Sequence, residues 1–167
     1  MKDQTAKQQI GQELVDRAWH IAKSIRTSIL ITRDGDKSRA RPMSAHVEQP
    51  EHAIYFLADA SGQSLKQIEA HASVSVVFSD ESANSYVAFV GSARVSDDRA
   101  KIKELWSVFA KAWWESADDP SIRLITVRPS EAEIWDGPNK LVAGAIMIAA
   151  AITGDTPAVG DHAKLKV

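Results

Sequence analysis

The residues best suited to chemistry lie between Arg39 and Lys66, RARPMSAHVEQPEHAIYFLADASGQSLK. Arg41 supplies a permanently charged, fork-shaped guanidinium that matches phosphate oxygens. Further on, Asp59-Ala60-Ser61-Gly62-Gln63-Ser64 is small and polar, and it leads into the helical spacing of Leu65, Ile68 and Ala72. Backbone N–H groups at such a helix start are free to meet an anion, and the helix dipole favours negative charge there. One reading is therefore a basic strand beside an anion-binding turn. The other is a surface hairpin followed by an ordinary N-capped helix. The pattern alone does not separate them.

Other chemistries find little support. Five histidines occur, His20, His46, His52, His71 and His162, but none forms HExxH or HxH, and there is no cysteine to join them. No metal site, disulfide or thiolate nucleophile is expected. GxSxG, GxxxxGK[ST] and GxGxxG are absent from the sequence, which argues against a nucleophile elbow, a P-loop and a Rossmann site. Asp118-Asp119 precede Pro120 and read as turn and cap residues, while Asp97-Asp98 read as a helix start.

Tryptophan is the over-represented aromatic, with five copies against two tyrosines and four phenylalanines. Trp19 and Trp106 fall on apolar helix faces and are expected in the core. Trp113 and Trp114 are adjacent, so one faces the core and the other is exposed or lines a pocket, where Trp113 is the candidate substrate contact. Trp135 ends a strand just before Asp136-Gly137-Pro138, where it either covers a flat ring or packs in the ordinary way.

The elements that must position these residues follow from periodicity. Leu14, Val15, Ala18, Ile21, Ala22 and Ile25 recur at helical spacing, which predicts an amphipathic helix over Gly11 to Ile25 behind a frayed stretch 1–10. Strands are expected at Thr27 to Thr32, Arg41 to Val47, Ala53 to Ala58, Val74 to Phe78, Tyr86 to Val95 and Ile122 to Trp135, the last broken at Arg128-Pro129-Ser130. Gly91 inside its strand marks a bulge or a close backbone approach. Helices are expected from about Ser64 to Ala70, through Ile102, Leu105, Trp106, Phe109 and Trp113, and from about Lys140 to Ile152. About six strands joined by hairpins and interrupted by helices favour a small antiparallel β-barrel with peripheral helices, mainly β in an α+β chain, over a doubly wound sheet.

At 167 residues the chain is expected to form a single domain, with 1–10 and 154–167 as irregular tails. Charged residues make up 25% and the formal net charge is −2, so no general affinity for nucleic acid or an anionic membrane is implied. The apolar run Leu141 to Ile152 is shorter than the ~20 residues a membrane span requires. The first residues carry no apolar signal segment, and a cytoplasmic location is expected. The last helix is apolar all round, which calls for burial on several sides. A homodimer would supply the second surface.

Arg41-Pro42-Met43, the strand ending Phe56-Leu57-Ala58-Asp59, the strand SVSVVF and the block LWSVFAKAWWESADDPSIRLITVRPSEAEIWDGP together resemble the general-stress-protein branch of the pyridoxamine-phosphate-oxidase-like family. The match runs in order from roughly Thr27 to Pro138. The resemblance implies a split β-barrel homodimer that binds flavin mononucleotide (FMN) at two sites in the subunit interface. Carried over by position, Arg41, Pro42, Met43, Ser44 and His46 would run along the flavin, with Arg41 toward the phosphate. Leu57 and Ala58 would lie beneath the ring or ribityl chain, and Gln63 and Ser64 fall at the family's basic phosphate-binding pair. Tyr86 matches a ring-contacting position, and Trp135 matches an aromatic that covers the ring from the partner subunit.

The departures lie at the turn. The family pattern T-D-x-x-S-x-K has Ala58 for its Thr and Ser64 for its Lys. Lys66, two residues later and about 200° further round a helix at ~100° per residue, is the nearest cation and a further cofactor-binding candidate, but it does not simply replace that lysine. Loss of one charge-assisted contact costs about 1.5–3 kcal/mol, ten- to a hundredfold in affinity. The expectation is an FMN-binding flavoprotein, an oxidoreductase of unknown substrate with no assigned catalytic residue. Its rival is a non-catalytic flavin-binding or stress-related dimer that holds flavin weakly or not at all.

Overall fold

The structure, a computed structural model, describes residues 2–137 and 161–167, without the side chains of residues 2–10 and 161. In chain order the elements are α1 (Lys2–Ser24), β1 (Thr27–Asp34), β2 (Lys37–Ser44), β3 (His46–Glu48), β4 (Ala53–Asp59) and α2 (Gln63–Ala70). They continue with β5 (Ser73–Asp80), β6 (Ser85–Ser96), α3 (Arg99–Leu105), β7 (Ile122–Asp136) and β8 (Asp161–Lys166).

Among the described residues these strands form one antiparallel sheet in the order β2-β1-β5-β6-β7-β4-β3, with β8 added on β7. β2 and β3 stand at opposite ends of that order, yet only Ala45 separates them in the chain. A sheet whose two ends are joined through one residue must curl until they meet, as a closed or split barrel does. The Ala45 N–H donates to Arg26 O at 3.0 Å and pins this junction to the start of β1. The expected strand Arg41 to Val47 is therefore two strands that belong to the two ends of the sheet.

Alternation places Leu30, Phe56, Val76, Phe78, Val87, Phe89 and Ile134 on the inner face, where α1 covers them with Ala18, Trp19, Ile21 and Ala22. A second, smaller cluster of Ala53, Tyr55, Ile122 and Leu124 is closed by Ile102 and Leu105 of α3.

Several expectations are corrected. Within the stretch expected to fray, residues 2–10 continue α1, because Lys2 to Ile10 carries helix formers and no Gly or Pro. The tail 154–167 is not wholly irregular: residues 161–166 form β8, where Ala163 and Leu165, with Val167 just beyond, pack on the core and His162, Lys164 and Lys166 alternate outward. The Arg128-Pro129-Ser130 break is a bulge within a continuous β7, where Gly91 faces Pro129 and Val90 faces Glu131. Proline is tolerated at such a bulge. The long helix through Trp113 stops at Leu105, the last of its residues buried in the second cluster; Trp106 and Trp114 still pack on that cluster, but beyond α3 only a short 3-10 turn, Ala110–Ala112, remains. The expected helix Lys140 to Ile152 lies outside the described residues.

Candidate functional site

An open cavity of about 640 Å³ lies at the seam where the two ends of the sheet meet. One wall is the end of β2 and the start of β3, with Arg41, Pro42, Met43, Ser44 and His46. The floor is the end of β4, Leu57 to Asp59, followed by Gly62 and Ser64 at the start of α2. The third side is the irregular stretch after α3, with Ser107, Phe109, Ala110, Ala112, Trp113 and Trp114.

Arg41 is half-buried and fixed on its inner side. Its Nη1 donates to Thr32 Oγ1 at 3.0 Å and its Nη2 to Gln67 Oε1 at 2.7 Å. Among the described residues no carboxylate pairs with it. Burial, with Arg39 nearby, lowers its pKa against an upward pull from Asp34, and a guanidinium in such a setting stays charged at neutral pH.

The start of α2 follows from its turn. Gly62 is the N-cap residue, and no side chain caps the helix. A Cβ at Gly62 would stand 2.9 Å from Asp59 O, so the close turn calls for glycine. Ser64 is buried in the first turn and lines the cavity. Asp59 Oδ1 instead accepts from the Ser61 N–H at 2.8 Å, and these Ser61 contacts hold the Asp59 carboxyl below its ordinary range. Burial pushes the His46 imidazole below its ordinary value, against a smaller upward pull from Glu48. His46 is thus neutral at pH 7.

Nine of the residues singled out from the sequence share this cavity: Arg41, Pro42, Met43, Ser44, His46, Leu57, Ala58, Ser64 and Trp113. Gln63, Lys66, Tyr86 and Trp135 do not line it. Gln63 and Lys66 are exposed on α2, and Tyr86 and Trp135 are register partners on β6 and β7. Sequence reasoning missed Ser107, Phe109, Ala110 and Ala112, because Phe109 was expected on a helix core face. Phe109 is 68% exposed instead, with the Arg26 guanidinium 5.8 Å from its ring centre. Trp113 is 81% exposed, whereas Trp114 packs on the second cluster. Among the described residues no cluster of three or more His, Asp or Glu stands ready for a metal, and no helix is long and apolar enough to cross a membrane.

A mainly antiparallel sheet curled until its ends meet, with helices outside and an open cavity at the seam, defines a split β-barrel of the α+β class. Residues 13–158 match the family described as pyridoxamine 5'-phosphate oxidase like, and the chain belongs to it. Among solved structures, a candidate general stress protein 26 from Jannaschia sp. CCS1 is 25% identical with a TM-score of 0.77, over 94% of this chain and 99% of that one. The general stress FMN/FAD binding protein from Xanthomonas citri is 28% identical with a TM-score of 0.67, over 75% and 89% of the two chains. General Stress Protein 26 from Bacillus anthracis str. Sterne, 23% identical over 72% of this chain and 92% of its own, shares the fold with a TM-score of 0.67. These neighbours bear out the general-stress branch that the sequence motifs resemble. No curated protein matches the sequence.

Proposed function

We propose that the seam cavity binds FMN and that the protein is a flavin-dependent oxidoreductase acting on a small molecule. The observation that carries this reading is the convergence, in one cavity, of the Arg41 guanidinium, the uncapped start of α2 and the apolar end of β4. The residues present fit the group. A cavity of about 640 Å³ falls in the usual range for such ligands. Arg41 spends two of its five N–H donors on Thr32 and Gln67, leaving others for phosphate oxygens. When bound, the flavin supplies hydride and electron transfer that no side chain of this chain provides. The chain's own part is to bind the phosphate through Arg41 and the first turn of α2. Leu57, Ala58 and Met43 exclude water, and neutral His46 offers one donor and one acceptor nitrogen.

Tyr86 and Trp135 lie side by side away from their own chain's cavity, which supports a homodimer in which a second copy brings them to the site. Light scattering on the purified protein checks that mass. For the cofactor, absorbance between 350 and 500 nm and an FMN titration followed by fluorescence quenching are the tests. Arg41→Ala is expected to weaken FMN by about tenfold or more. Unchanged affinity removes the phosphate role.

A second reading is a flavin binder without turnover. It is favoured by the first turn of α2, where Gln63 and Ser64 stand at the basic pair and Lys66 is exposed outside the cavity. Anaerobic mixing with NADH and NADPH separates the two: bleaching of bound flavin supports the oxidoreductase, and a persistent spectrum supports the binder.

A further inference from the structure

The guanidinium of Arg41 rests on two neutral groups that do not themselves line the cavity. Thr32 on β1 is 1% exposed and Gln67 on α2 is 8% exposed. The Thr32 hydroxyl donates to Gln67 Oε1 at 2.7 Å, and the same oxygen accepts from Arg41 Nη2 at 2.7 Å. Thr32 Oγ1 in turn accepts from Arg41 Nη1 at 3.0 Å. Arginine has only donors, so the side of the Gln67 amide that faces it must be the oxygen, and the hydroxyl proton of Thr32 has one place to go. The three side chains form a closed ring in which every orientation is set by another member.

Two consequences follow. A long, rotamer-rich side chain is held in one pose before any ligand arrives, which reduces the entropy cost of binding. The holders are acceptors without charge, so the guanidinium keeps its positive charge for an anion. A carboxylate at either place would fix Arg41 equally well and cancel that charge.

We propose that Gln67 and Thr32 are positioning residues that make Arg41 a phosphate reader, setting the preference for a phosphorylated flavin over an unphosphorylated one. The inference rests on the FMN reading above. Its test is the ratio of affinities for FMN and riboflavin, because riboflavin shares the ring and ribityl chain and lacks only the phosphate.

Gln67→Glu is expected to cut the FMN-to-riboflavin ratio by about tenfold or more while riboflavin affinity stays within about twofold. The FMN affinity that remains should lose its dependence on salt concentration. Thr32→Val should lower the ratio in the same direction, and Thr32→Ser, which keeps the hydroxyl, should restore it. A role in stability alone would weaken both flavins together and leave the ratio unmoved. If Gln67→Glu does not fold, the Thr32→Val and Thr32→Ser pair carries the same comparison. A wild-type ratio in folded Gln67→Glu or Thr32→Val, with the ratio lost in Arg41→Ala, overturns the positioning role and leaves the FMN reading standing. Equal affinities for the two flavins in the wild type and in Arg41→Ala overturn both.

Discussion

Trp135 lies flat on His162, with ring centres 4.9 Å apart and planes inclined by 8°. The two are register partners on β7 and β8, and Tyr86 faces Trp135 from β6, so the three residues cross the sheet in one row. The neighbouring pair Glu133 and Lys164, 2.8 Å apart, ties β8 to β7 on the same edge. β8 thus fixes the rotamer of the residue proposed to cover a flavin ring. His162→Ala should cost about 0.5–1.5 kcal/mol, the worth of such an aromatic pair. Urea unfolding of the variant is the check, and an unchanged midpoint would show that the stack carries no energy.

Gly91 admits no side chain. A Cβ there would stand 2.2 Å from Arg128 O and 2.7 Å from Pro129 Cα, both backbone atoms that cannot rotate away. The cause is the bulge, which brings β7 against β6 at the point where the register shifts. Gly91→Ala is expected to destabilise by about 1–3 kcal/mol or more, the usual cost of overpacking. Denaturant midpoints for wild type and variant decide it; equal midpoints would show that the two strands separate there at no cost.

The contrast between these two sites shows what the sequence made legible. A glycine within YVAFVGSARV announces a bulge or a close backbone approach, and Asp98 announces a helix start that the structure completes with a 3.0 Å bond from the Lys101 N–H. The curl of the sheet was less visible, because nothing in Arg41 to Val47 says that the run changes partners at Ala45. That exchange is set by which strands pair at long range, not by local preference. Phe109 misled for a related reason. Its spacing from Leu105 suits a helix face, but a helical period says nothing about whether a surface exists for that face to cover. Thr32 and Gln67 carried no motif signal at all; the ring they form with Arg41 joins β1, β2 and α2.

Trp113 gives a test in which stability and binding separate. At 81% exposure it contributes little to the core, yet it stands on the cavity wall. Trp113→Ala should therefore shift unfolding free energy by no more than about 0.5 kcal/mol. The loss of a flat apolar partner should weaken FMN and riboflavin alike, by about two- to tenfold. Parallel thermal melts and flavin titrations provide both readings. A variant that melts early with unaltered flavin affinity would place Trp113 in the structure and not in the site.

His46 links the cavity to pH. Burial is the main cause of its depressed pKa, with Glu48 opposing, so the folded protein favours the neutral ring more than the unfolded chain does. Between the depressed folded value and the ordinary 6.5, the unfolded chain binds more protons than the folded one. The contribution to stability is therefore fully present above pH 6.5 and is lost as pH falls through the folded value. Urea midpoints of the wild type should decline on acidification below pH 6.5 more steeply than those of His46→Gln, which has no proton to gain. Histidine ring signals followed by NMR should show His46 titrating below its ordinary value. Parallel pH profiles for the two proteins, or a His46 signal titrating at 6.5, would mean that the ring is not desolvated at the seam.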